Sequence, residues 1–80
     1  MLVNLAEILK DTRQRGYAVG LFNCVTLEMT RGILLAAEAL QSPVIIGPAE
    51  SLLPGAPLED YADMMRGMAA RARAPVALHF

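Results

Sequence analysis

The chain has 80 residues, a formal net charge of −1, 55 % hydrophobic and 19 % charged residues, and one cysteine. Its interleaved acidic and basic residues exclude a basic stripe for nucleic acid, and two tyrosines and two phenylalanines make no stacking platform for single strands. Cys24 alone excludes an internal disulfide or a Cys-rich metal site, and so apolar a composition at this length predicts a slice of a larger core or an obligate oligomer.

The chain opens with helix signals. Asn4 is a good N-cap, and Glu7 three residues later has capping-box spacing. Leu5, Ile8, Leu9 and Thr12 recur on one face, and Gly16 suits the helix end. One helix is therefore expected before the first strand; in a barrel it would cap the bottom of the sheet. Asn4, Glu7, Lys10 and Asp11 interrupt any apolar leader run, and no stretch approaches the ~20 apolar residues of a membrane span. A soluble, cytoplasmic protein is expected, in a reducing compartment.

The run Tyr17–Phe22 reads as a first strand. Asn23-Cys24-Val25 then makes a short turn, and Thr26 is the N-cap of the next helix. Met29, Ile33, Ala36, Ala37 and Leu40 give that helix its apolar face. Gly32 is unfavourable within it and suggests a close approach to the sheet. Cys24 reads as a small packed residue.

Pro43-Val44-Ile45-Ile46-Gly47 is short, apolar and β-branched, as a strand buried on both faces should be. The longer loop after it, with Pro48, Pro54 and Gly55, is of the kind where α/β proteins place their chemistry. Pro57 fits the first position of a second long helix, with Glu59 and Asp60 in its first turn. Tyr61, Met64, Met65, Met68 and Ala72 form an apolar face for packing on a sheet. Pro75–Phe80 is the third strand-like run. Strand starts about 25–30 residues apart, with helices between them, are the pattern of parallel βαβ units, with the middle strand flanked on both sides.

Chemistry is sparse. The carboxyl ends of parallel strands are where ligands bind, and the third run reaches that edge at His79 and Phe80. A lone histidine at a strand end reads as a packed or hydrogen-bonded residue, and one histidine cannot hold a catalytic zinc. Gly47-Pro48-Ala49 lacks the glycine spacing of a phosphate loop, and no nucleophile–base pair is present. Asn23 and Glu50 are the polar residues at strand ends that could face a substrate.

Several blocks, in order, resemble the start of class II, zinc-dependent ketose-bisphosphate aldolases. They are Met1-Leu2-Val3-Asn4, Gly16-Tyr17-Ala18-Val19-Gly20, Phe22-Asn23, Leu27-Glu28, Ala36-Ala37-Glu38 and Ser42 to Gly47. Pro75-Val76-Ala77-Leu78-His79 resembles the strand before that family's His-x-Asp-His motif. The resemblance implies the N-terminal part of a TIM (β/α)8 barrel, with residues 1–80 as one segment of a single barrel domain: a leading helix, then three strands alternating with two helices. It implies reversible aldol cleavage of a fructose- or tagatose-bisphosphate-like ketose to dihydroxyacetone phosphate and an aldehyde, with zinc as Lewis acid. It also implies a homo-oligomer when complete, with a sugar phosphate as its partner and neither nucleic acid nor membrane.

The resemblance carries over to few residues. Asn23 matches an asparagine facing the active site. Ala49 matches a substrate-binding position where many members have serine, and Ser51 replaces a common glycine. His79 matches the motif's first histidine, a supporting residue and no metal ligand. The catalytic Asp and the ligand histidine would follow Phe80, so no catalytic or metal residue is assigned within the segment, which alone is expected to be inactive. A non-enzymatic truncated subunit packing on another chain, or another sugar-phosphate barrel enzyme, are the alternatives.

Overall fold

Three proline- or glycine-bounded apolar runs pair into one sheet, as their composition requires. A computed structural model describes residues 1–48 and 56–80. The strands are β1 (Leu21–Asn23), β2 (Val44–Gly47) and β3 (Val76–Leu78), all parallel, in the order β1-β2-β3. Leu21 pairs with Ile45 and Ile45 with Ala77, so β2 is the middle strand, and it is buried throughout.

The first strand is shorter than the run Tyr17–Phe22 suggests. The Ile45 amide donates to the Gly20 carbonyl at 3.0 Å. Two residues earlier the donor on that side of β2 would be residue 43, a proline without an N–H. With no further donor, Tyr17–Val19 stays out of the ladder. β1 itself is exposed, with Phe22 at 50 %.

The opening helix is likewise two pieces, α1 (Leu5–Leu9) and α2 (Thr12–Arg15). The capping box forms: Glu7 N–H donates to Asn4 Oδ1 at 2.8 Å, and Asn4 N–H to Glu7 Oε1 at 3.4 Å. The break comes where the Thr12 hydroxyl donates to the Leu9 carbonyl at 2.8 Å, a local bond that competes with helical pairing. Gly16 ends α2 at φ 67, ψ 43, the left-handed conformation that glycine adopts without penalty.

The long helices α3 (Leu27–Ala39) and α4 (Leu58–Arg71) lie on one face of the sheet. Thr26 caps α3, its hydroxyl accepting from Met29 N–H at 3.1 Å. Pro57 is the N-cap of α4, one place before the first helical position expected for it. Between helices and sheet, Cys24, Leu34, Ala37, Val44, Ile46, Met65, Ala69 and Val76 form the main core. The buried side of α3 is Thr30, Leu34 and Ala37; Met29, Ala36 and Leu40 of the expected face are exposed, Leu40 at 75 %. The Thr30 hydroxyl satisfies itself by donating to the Thr26 carbonyl at 2.9 Å, which lets a polar residue sit in the core. On α4 the expected face holds: Met65 is fully buried, with Met64, Met68 and Ala72 packed beside it.

The opposite face of the sheet is covered by α1, through Ile8 packed with Ile45 and Ala77 and flanked by Val3 and Val19. Two further ties hold the lower end. Glu38 Oε2 accepts from Arg73 N–H at 2.7 Å, joining the end of α3 to the turn before β3. Met1–Val3 runs parallel beside the start of β3: Val76 N–H donates to Met1 O at 2.8 Å, and Val3 N–H to Val76 O at 2.9 Å. The Met1 amine donates to the carbonyls of Ala72 and Ala74. Among the described residues no helix is long and apolar enough to cross a membrane.

Gly32 makes no close approach to anything: a Cβ there would meet nothing within 4 Å, and the residue is exposed. Gly32→Ala is therefore expected to stabilise the protein by about 1 kcal/mol, the helix-propensity difference. A denaturation midpoint that fell instead would show that α3 needs this glycine.

Candidate functional site

Because all three strands are parallel, their carboxyl ends share one edge, where open and closed α/β sheets place ligands. Asn23 ends β1 directly opposite Gly47, which ends β2. His79 follows β3, its N–H donating to the Ile46 carbonyl at 2.9 Å. These three residues stand in a row along the edge. The Asn23 side chain is exposed and makes no hydrogen bond among the described residues, so its amide is available as donor and acceptor.

The His79 side chain is exposed, and among the described residues only its backbone is hydrogen-bonded. Cys24, next to Asn23, is fully buried in the main core and free, as a small packed residue should be; its N–H donates to the Gly47 carbonyl at 3.1 Å. Ala49, Glu50 and Ser51 lie outside the described residues.

Gly47 is the residue that sequence reading undervalued. It served only to bound a strand, whereas its missing side chain is what lets the edge assemble. A Cβ built on it would lie 1.6 Å from the His79 carbonyl oxygen. A glycine inside a strand pattern signals such a close backbone approach.

The rim is acidic. Helices α3 and α4 both begin at this edge, and their first turns carry Glu28, Glu59 and Asp60. Those charges complement the helix N-termini and leave them poor anion sites. Neither first turn holds a lysine or arginine, nor do positions 23, 47 and 79. Among the described residues no three His, Cys, Asp or Glu side chains come together as a metal would require. The described part of the edge thus offers an amide, an imidazole and backbone carbonyls, groups that orient a polar ligand, with no lysine or arginine beside them.

Comparison with known proteins follows the same lines. The profile of the family fructose-bisphosphate aldolase class-II matches residues 3–80. The fructose-bisphosphate aldolase of Thermus caldophilus is 43 % identical over 81 residues, covering 99 % of this chain and 26 % of the relative. The probable fructose-bisphosphate aldolase of Bacillus subtilis (strain 168) is 51 % identical over 49 residues, covering 61 % of this chain and 17 % of the relative. The crystal structure of the YdjI aldolase from Escherichia coli K12 superposes with a TM-score of 0.90 at 35 % identity, over 99 % of this chain and 30 % of that one. The chain thus spans less than a third of the length of each relative.

Proposed function

Because this chain belongs to the class II fructose-bisphosphate aldolase family, we propose that it is the first part of a (β/α)8 barrel aldolase. The complete protein cleaves a ketose bisphosphate reversibly to dihydroxyacetone phosphate and an aldehyde. Residues 1–80 then form one N-terminal segment of a single barrel domain that works as a cytoplasmic homo-oligomer. The observation that supports this best is the shared carboxyl edge of β1, β2 and β3, with Asn23, Gly47 and His79 side by side, in a chain that matches the family profile over residues 3–80.

In this reading Asn23 binds substrate directly, since its free amide ends a strand at the ligand edge. Ala49 belongs to the substrate loop, and His79 supports the site from beside it. Zinc is the family's cofactor in the complete enzyme, but the described residues do not fit it. His79 stands at the edge without a second ligand side chain, and Cys24 is buried below. The metal's ligands and the cations that neutralise the substrate phosphates are therefore assigned outside the described residues. The acidic rim agrees with the second assignment, because Glu28, Glu59 and Asp60 would repel a phosphate near them.

Coupled assay of the complete protein on fructose- and tagatose-bisphosphate tests the function. Turnover on neither would sink the aldolase reading. Asn23→Ala is expected to lower kcat/KM about two- to tenfold, the loss of one neutral hydrogen bond, without changing the denaturation midpoint. A wild-type value would remove Asn23 from the site.

A further inference from the structure

We infer that Gly47 is a positioning residue: by having no side chain, it fixes where the backbone leaving β3 crosses the ligand edge. The inference rests on the reading that chemistry takes place at this edge. Gly47 is held from both sides. Its carbonyl accepts from Cys24 N–H at 3.1 Å toward β1. Toward β3, the hydrogen that a side chain would replace points at the His79 carbonyl oxygen, where a Cβ would come within 1.6 Å.

The obstacle is backbone, not the far end of a flexible side chain, so neither partner can turn aside. The His79 N–H is already spent on the Ile46 carbonyl at 2.9 Å, which ties the same residue to the same strand. Pro48, buried directly after Gly47, restricts the backbone on the other flank. A methyl group at position 47 must therefore push His79, and whatever follows it, away from Asn23. Displacements of about 1 Å at a reacting centre cost on the order of a hundredfold in rate. Gly32 supplies the internal comparison, because a Cβ there meets nothing.

The test is Gly47→Ala in the complete protein, with Gly32→Ala as control, read by steady-state kinetics on fructose- and tagatose-bisphosphate and by amide hydrogen exchange. For Gly47→Ala, kcat is expected to fall roughly a hundredfold with KM within about threefold. Exchange should accelerate at His79 and Cys24 while the amides of Ile45 and Val76 keep their protection. Stabilising the variant with an osmolyte should not restore kcat. Gly32→Ala should keep wild-type kinetics. Near-wild-type kcat in Gly47→Ala overturns the inference. So does a loss that the osmolyte reverses, with exchange raised uniformly across the sheet, since that is global destabilisation. A wild-type protein that cleaves neither substrate fails the aldolase reading itself; an active wild type with an unaffected Gly47→Ala fails only the positioning role.

Discussion

Met65→Ala is expected to destabilise the protein by about 2–5 kcal/mol, the range for emptying a buried methionine site. Met65 is fully buried on the sheet side of α4, within the cluster that includes Ile46, Ala69 and Val76. Its neighbours are strands fixed by their ladders and a helix fixed by its own hydrogen bonds, so the space left behind can collapse only partly. Met64→Ala, at a half-buried position on the same helix, should cost distinctly less. Urea denaturation of both variants of the complete protein checks this. Equal shifts, or a Met65→Ala shift below about 1 kcal/mol, would mean that α4 packs differently on the sheet.

The second large effect concerns residues 1–80 produced alone. The isolated chain is expected to lack a cooperative thermal transition, to bind hydrophobic dyes and to self-associate. Its own packing leaves too much uncovered. Leu21 and Phe22 of β1 are half exposed, and Leu35 of α3 and Leu40 just after it are exposed. A groove of about 320 Å³ opens between α3 and the β1 side, lined by Gly20, Phe22, Ile33, Ala36, Leu40 and Val44 among others. Among the described residues β1 has a partner strand on one side only. An edge strand with apolar neighbours pairs with other chains unless something covers it. Near-ultraviolet circular dichroism, calorimetry and sedimentation decide the matter. A sharp transition from a monomer would show that these three strands and their helices form a self-sufficient unit.

Much of the fold was legible because local chemistry and long-range packing agree. Asn4 with Glu7, Thr26, Gly16, and the β-branched run at Val44–Ile46 each carry their structural reason within a few residues. What escaped reading depends on partners distant in sequence. The length of β1 is set by Pro43, a residue of the neighbouring strand. The buried side of α3 is turned toward Thr30 and Leu34, because the Thr30 hydroxyl finds the Thr26 carbonyl and leaves a methyl to pack. The end of α3 at Gln41-Ser42 was legible, although its geometry was not. Gln41 adopts φ 50 where glycine is usual, with Ser42 N–H closing on Ala37 O at 2.9 Å and Gln41 N–H on Glu38 O at 3.1 Å. At the ligand edge Asn23 was legible as a polar strand end. The contact between Gly47 and His79 was not, since it joins positions 32 residues apart in sequence through an atom that is absent.

The seam between Met1–Val3 and Val76 has a consequence for how the protein is made. Residues Met1–Val3 can find their place only after their partners Ala74 and Val76, more than 70 positions later, have been synthesised. Until both βα units have emerged, the amino end is an unpaired strand, and closing so long a loop is slow compared with forming a helix.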